Sequence, residues 1–224
     1  MKRLKLLVTG ITGLLGSYLK EYLNQQRYEV IGVSKNSDLA NINVDLSNKE
    51  ETFKILSLYK PDAIINLAAL TDVDACERDP HKAYLNNCLI PKNLSDWIYI
   101  SQSNTHLIHF STDQVYGTDL IYSSESDIYI SNIYGLTKLA GEYSLNNTRS
   151  TVIRTNFLGK SLVQGRESLS DWAIKMAEEG KHMNLFQDVL FSPLSMTSLV
   201  QLIERIINNP LAGTFNLGSQ GVLS

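Results

Sequence analysis

Cysteine is scarce in this chain: Cys76 and Cys88 are the only two among 224 residues. Their separation fits neither a CxxC motif nor a metal-ligand set, and nothing recommends a disulfide between them. Structural zinc and a disulfide scaffold are therefore excluded as organising features, and a reducing, cytoplasmic location is expected. Long apolar runs are also missing, so no segment spans a bilayer and no membrane partner is expected. Charge of one sign is lacking too: 20 Lys and Arg against 23 Asp and Glu leave a net charge of −3. That balance offers no electrostatic footprint for nucleic acid. Histidine is limited to four residues. His106 and His109 lie three apart in an apolar run, and in a strand that odd spacing sends them to opposite faces, so no metal is expected there. The start, Met1-Lys2-Arg3-Leu4, is basic and then apolar like a secretory signal. The apolar stretch reaches Thr9-Gly10 too soon for an h-region, however, and no small-residue cleavage site follows, so it reads as a first strand. Without a signal, the sequons Asn93-Leu94-Ser95 and Asn146-Asn147-Thr148 read as chance. Internal repeats and low-complexity segments are absent.

What is present is ordinary in composition, with 43% hydrophobic and 19% charged residues, and suits one main soluble domain. The first informative segment is Leu4 to Leu19. A short apolar run precedes Gly10, Gly13 and Gly16, and Leu15, Leu19, Tyr22 and Leu23 then recur at helical spacing. Strand, tight glycine turn and helix follow one another. Glycines suit a sharp turn, a close backbone approach to a pyrophosphate, and a helix packed hard on its strand. The unpaired amides at the helix start would face the anion.

Apolar runs at Leu6 to Val8, Val30 to Val33, Ala63 to Leu67, His106 to Ser111 and Thr151 to Arg154 predict strands. Helices are expected between them over Leu14 to Asn24, Lys49 to Tyr59, His81 to Ser103 and Tyr134 to Asn146. Such alternation predicts an α/β fold, a Rossmann-type doubly wound parallel sheet with right-handed crossovers. Pro61 marks a helix exit, and Pro91 bends or splits the third helix. Thr118 to Ser131 is polar and serine-rich, and reads as a surface loop over the site. After Arg154 the pattern loosens: Leu169 to Ala177 is helical, Met183 to Phe186 reads as a short strand, Pro193 precedes a helix at Leu199 to Ile207, and Gly213 to Gly218 forms a last strand. Residues 1–155 are expected to form the dinucleotide-binding domain. Residues 156–224 are expected to add a small C-terminal substrate lobe and to return a helix and a strand to the core.

Tyr134 and Lys138, four apart, share one helix face. A free phenol titrates near about 10 and a nearby cation favours its phenolate, so the pair can deliver and recover a proton. The strand ending Ser111-Thr112-Asp113 brings Thr112 to the carboxyl end of the sheet, where it can hydrogen-bond the oxygen that Tyr134 protonates. A plain strand-end cap is the competing reading of Asp113.

With Val8-Thr9-Gly10-Ile11-Thr12-Gly13-Leu14-Leu15-Gly16, Pro61 to Ala69, Ser111-Thr112-Asp113-Gln114-Val115-Tyr116-Gly117 and Tyr134 to Glu142 in order, the chain resembles the extended short-chain dehydrogenase/reductases. Thr71 to Glu77, Arg154-Thr155-Asn156-Phe157 and Ser192-Pro193-Leu194 resemble, within them, the dTDP-4-dehydrorhamnose reductase family. The resemblance runs from Leu6 to about Gly218. It implies an NAD(P)-dependent reductase of a nucleotide-linked 4-keto-6-deoxy sugar, with Thr112, Tyr134 and Lys138 catalytic and Lys138 also on the nicotinamide ribose. It implies cofactor contacts from Gly10, Thr12, Gly13, Leu14, Leu15 and Gly16, from Ser34 and Lys35, and from Asp45 at the adenine with Leu46 beside it. Leu67, Ala68 and Ala69 would line the cofactor, and Asn87 would brace the helix beneath it. Val73, Asp113, Gln114 and Phe157 would face the substrate. Phe157 replaces a frequent tryptophan and Gln114 a usual aromatic, which alters the sugar's surroundings rather than the chemistry. The family usually continues well beyond the equivalent of Ser224. A homodimer is compatible with the resemblance.

Cofactor preference turns on Val30 to Asn36. No acid stands at the end of the second strand to bind a ribose 2′-hydroxyl, whereas Ser34 and Lys35 suit a 2′-phosphate, so NADP(H) is expected over NAD(H), which stays admissible. Two rival readings are a nucleotide-sugar dehydratase or epimerase, for which Gln114 supplies no acid, and a nucleotide-binding regulatory subunit.

Overall fold

Leu6 and Val8 pack to one side of strand β1 (Leu4–Thr9) and Leu7 to the other, all three fully buried. A strand buried on both faces needs helices above and below it, and a continuous apolar run is its sequence signature. The computed structural model describes residues 3–117, 123–145, 147–183 and 189–221. Among them, seven parallel strands form one sheet in the order β3-β2-β1-β4-β5-β6-β9. The strands are β1, β2 (Tyr28–Ser34), β3 (Ile42–Asn43), β4 (Ala63–Asn66), β5 (His106–Ser111), β6 (Ser150–Thr155) and β9 (Gly213–Leu217). The doubly wound sheet expected from the alternation is the observed one.

Helix α1 (Leu14–Asn24) and helix α8 (Met196–Asn208) cover one face, where Leu15, Leu19 and Leu23 meet Leu199, Ile203 and Ile207. Helices α2 (Lys49–Tyr59) and α5 (Ile90–Ile100) cover the other, with Leu56, Leu94 and Trp97 over Ile64 and Leu107. Both ends of α2 are marked locally: Asn48 caps it by accepting from the Glu51 amide at 3.1 Å, and Lys60 takes a left-handed φ of 47° just before Pro61.

The third helical region, expected over His81 to Ser103 with a bend or split at Pro91, is interrupted just before that proline. Val73–Arg78 (α3) and Pro80–Tyr84 (α4) lead into a π-helical turn at Leu85–Leu89, from which α5 continues. Pro91 has no amide hydrogen to donate back, and the wider turn in front of it accommodates that loss. The region is thus stepped rather than cut.

Helix α6 (Ile133–Tyr143) carries Tyr134 and Lys138. The final segment contributes α7 (Leu169–Glu178), α8, β9 and a two-stranded parallel pair, β7 (Phe157–Leu158) with β8 (Leu194–Ser195). Those two-residue strands and β3 carry no sequence signal of their own. Residues 184–186 of the strand expected at Met183 to Phe186 and the C-terminal end expected for the Tyr134 helix, Asn146, fall outside the described residues, as do residues 118–122 of the expected loop. No helix among the described residues is long and apolar enough to cross a membrane.

Candidate active site

In the sheet order, β1 lies between β2 and β4: the chain leaves β1 for β2 and β3 on one side and crosses back through α2 to β4 on the other, which opens a crevice at the carboxyl end of β1. A cleft of about 530 Å³ occupies that point. Gly10 turns the chain with φ 64°, and a Cβ there would stand 2.9 Å from the backbone of Leu67 and Ala68. A Cβ on Gly16 would overlap the Gly10 carbonyl oxygen. A Cβ on Gly13 would instead project toward the cleft, with only the Gly10 oxygen at 3.1 Å and the Arg166 guanidinium at 3.9 Å nearby. Helix α1 starts on Gly13 without a side-chain cap and without an acid in its first turn, whereas Asn132, Ser168 and Ser195 cap α6, α7 and α8. Its first amides therefore face the cleft with positive partial charge. Thr9 fastens the opposite wall: its hydroxyl donates to Asn66 Oδ1 at 2.6 Å and accepts from the amides of Leu67 and Ala68 at 3.1 and 3.0 Å.

Tyr134 enters the far end of the cleft from the first turn of α6. That turn is fixed twice, since Asn132 accepts from the Gly135 amide at 2.7 Å and the Glu77 carboxylate accepts from the Ile133 amide at 2.7 Å. One face of α6 packs on the π turn, where a Cβ on Gly141 would overlap the Asn87 carbonyl oxygen. Asn87 braces the same region: its side chain accepts from the Leu70 amide at 2.8 Å and donates to the Leu70 carbonyl at 3.0 Å and to Thr137 Oγ1 at 3.1 Å. It supports the cleft from behind and does not line it.

Burial pushes the Tyr134 phenol up to about 12, with Thr112 beside it pulling the other way. Burial also brings the Lys138 ammonium down to about 8, against an opposing pull from Glu142. The Lys138 ammonium donates to the Phe110 carbonyl oxygen. Burial outweighs the hydrogen bond from Thr112, so Tyr134 holds its proton at neutral pH. His109, fully buried beside this lysine, accepts at Nδ1 from Asn66 at 2.9 Å and is driven well below its ordinary pKa by burial and then by Lys138. His106 instead meets Thr151 Oγ1 at 2.8 Å. The two histidines share no site, and no group of three metal-ligating side chains occurs among the described residues.

The structure brings together in the cleft Gly10, Thr12, Gly13, Leu14, Leu15, Gly16, Ser34, Lys35, Asp45, Leu46, Leu67, Ala68 and Ala69 with Thr112, Asp113, Gln114, Tyr134, Lys138 and Phe157. Val73 is not among them. It opens α3 and packs against the cluster of Cys76, Ala83 and Tyr134, so its expected place facing the substrate is corrected to a supporting one. Lys35 is not a free cation either: its ammonium lies 2.6 Å from Asp45 Oδ2. Burial pushes the Asp45 carboxyl up, but hydrogen bonds from Lys35 and Ser47 prevail and hold it below its ordinary value. Asp113 is oriented by Asn156, which donates to Oδ2 at 3.0 Å. Gln114 accepts from Asn132 at 3.1 Å.

Sequence reasoning missed Thr71, Asn86, Asn156 and Arg166 as cleft residues. Asn156 adjoins Phe157 and was legible from that neighbour. Arg166 stands in a polar loop with no periodic or motif signal, and only the fold returns it to the glycine turn.

Residues 4–224 match the family described as RmlD substrate binding domain. A probable low-salt glycan biosynthesis reductase of Haloferax volcanii is 28% identical over 227 residues, covering 97% of this chain and 75% of that protein. A crystal structure of dTDP-4-dehydrorhamnose reductase from Bacillus anthracis in complex with NADP superposes with a TM-score of 0.88 at 26% identity, over 100% of this chain and 77% of the other. Methionine adenosyltransferase 2 subunit beta of Xenopus laevis is 29% identical over 91% of this chain and 63% of its own length.

Proposed function

The chain belongs to the RmlD substrate binding domain family, and from that premise we infer that it is an NADPH-dependent reductase of a nucleotide-linked 4-keto-6-deoxy sugar. The single observation that carries the chemistry is the buried Tyr134, with Thr112 and Lys138, lining the same cleft as a glycine cradle open to an anion.

The residues present fit a dinucleotide. Side chains at Gly10 and Gly16 would collide with the backbone that shapes the turn, the missing side chain of Gly13 leaves its floor open, and the first amides of α1 face it. Ala68 and Ala69 offer a small-residue wall, and Asp45 and Leu46 close the distal end. When bound, NADPH supplies the hydride that reduces the ketone carbon. Tyr134 would supply the proton from Oη to the ketone oxygen, Thr112 Oγ1 would orient that oxygen, and Lys138, in the same cleft, would hold the nicotinamide ribose. Asp113, held by Asn156, and Phe157 lie where the sugar would enter.

Gln114 carries an amide already engaged with Asn132, so that position provides no acid to expel water, as a dehydratase would need. The relative named as a subunit of another enzyme supports one competing reading, a cofactor-binding regulatory protein. Anaerobic incubation with NADPH and a panel of nucleotide 4-keto-6-deoxy sugars separates them. Stoichiometric conversion to the reduced sugar is expected, and tight NADPH binding with no conversion of any panel member would favour the regulatory reading.

A further inference from the structure

A dinucleotide pyrophosphate carries two negative charges, and the α1 amides offer only partial ones. The cleft wall holds three basic residues: Lys35, Lys138 and Arg166. Lys35 is paired with Asp45, and Lys138 is buried and directed at the Phe110 carbonyl. Arg166 is different: its guanidinium has no hydrogen-bond or ion-pair partner among the described residues, although neighbouring Glu167 pairs with Lys175 at 3.6 Å. It lies 3.9 Å from the point a Gly13 Cβ would occupy, directly over the open floor of the glycine turn.

The loop that presents it is built rather than loose. Tyr18 of α1 donates to the Lys160 carbonyl at 2.9 Å, tying the start of the loop to the helix whose amides face the anion. The Asp171 carboxylate accepts from the amides of Ser161 and Ser168 at 2.8 and 3.0 Å and from the Ser168 hydroxyl at 2.8 Å, clasping both ends of the loop. Between them the Arg166 amide donates to Val163 at 3.1 Å and Gly165 takes φ 77°, which turns the chain back toward α1.

We propose that Arg166 closes the anion site from above and clamps the cofactor pyrophosphate against the α1 amides, so that the segment after β7 completes a site begun by the first glycine turn. The inference rests on the reductase reading. A guanidinium suits the task because its planar fork can meet two phosphate oxygens with parallel hydrogen bonds, a fixed geometry that an ammonium lacks. Its target is the moiety common to NADPH and NADH, in contrast to Lys35 and Ser34 at the 2′-position.

The test is calorimetric titration of NADPH, NADH, adenosine 2′-monophosphate and dTDP into wild type, Arg166→Ala and Arg166→Lys, with thermal unfolding as the folding control. Arg166 is exposed, so unfolding temperatures are expected to agree. Arg166→Ala is expected to weaken NADPH and NADH alike by about tenfold to a hundredfold, the usual range for a charge-assisted contact. Arg166→Lys should recover part of that loss, and adenosine 2′-monophosphate, which lacks the pyrophosphate, should bind all three proteins equally. Unchanged NADPH and NADH affinities in Arg166→Ala would overturn the clamp while leaving the reductase reading intact. A loss confined to dTDP would also overturn it, placing the guanidinium on the substrate diphosphate. Wild type that binds neither dinucleotide would overturn the reductase reading and the clamp together.

Discussion

Tyr134 keeps its proton because burial disfavours the phenolate more than Thr112 stabilises it, which raises the pKa to about 12. Tyr134→Phe removes the proton and little else, so NADPH affinity should persist while ketone reduction slows by about two to four decades. Single-turnover rates and a cofactor titration on the same variant check both halves. Lys138 gives a stability signature. In the fold it titrates near 8 against an ordinary 10.5, so between those values the unfolded chain binds a proton that the folded chain has released, and stability rises with pH. Tyr134 acts oppositely between 10.0 and about 12, where the fold keeps a proton the unfolded chain has lost. Lys138→Met deletes the first effect. Wild type should therefore gain on the variant by roughly 3 kcal/mol at most across the lysine window, at about 1.4 kcal/mol per unit. Urea unfolding of both proteins through that range measures it, and a constant difference would contradict the buried lysine.

Among elements, α6 and the π turn are held together by the absence of a side chain at Gly141, whose Cβ would overlap the Asn87 carbonyl oxygen. Gly141→Ala should destabilise the chain by about 1–3 kcal/mol through overpacking and should weaken catalysis more than cofactor binding, because it shifts the helix carrying Tyr134. Denaturation midpoints and the rate of ketone reduction test this. At the other end, Lys35 is largely solvated and Asp45 partly so, with side-chain exposures of 71% and 40%, so their pairing contributes little to stability. It does hold Lys35 in the cofactor cleft. Asp45→Asn should release Lys35 to a 2′-phosphate and raise the preference for NADPH over NADH, whereas Lys35→Ala should lower it, and competitive titrations of the two cofactors decide. The start of α1 and the exit of α2 were readable because the glycine turn and Pro61 mark them in the sequence. The polar strand ends were not readable: Thr9 and Thr155 are buried in the sheet by long-range pairing, which a local apolar pattern does not register. The Lys35–Asp45 pair escaped for the same reason, since it joins two loops through the fold.

For the molecule as a whole, the segment after β6 is integral to the core. Helix α8 buries Leu199, Ile203 and Ile207 against α1, and β9 completes the sheet beside β6. The edge is locked by polar contacts, with Tyr116 donating to Asn216 Oδ1 at 2.5 Å and the buried Arg154 to Glu142 at 2.6 Å. The glycine cradle, Thr112, Tyr134 and Lys138 were legible because each sits in a local motif at a strand end or on one helix face. Arg166 and Asn156 reach the cleft only through the return of this last segment, and Val73 leaves it because α3 turns that side chain toward Cys76 and Ala83. The most direct measurement is a single-turnover reaction of NADPH-loaded chain with dTDP-4-keto-6-deoxy sugar, followed by NADPH absorbance and by product analysis, for wild type and Tyr134→Phe. Wild type should oxidise one NADPH per sugar reduced, and Tyr134→Phe should do so at least about a hundredfold more slowly. Equal rates in the two proteins, or bound NADPH that neither protein consumes, would contradict a reductase in which Tyr134 delivers the proton.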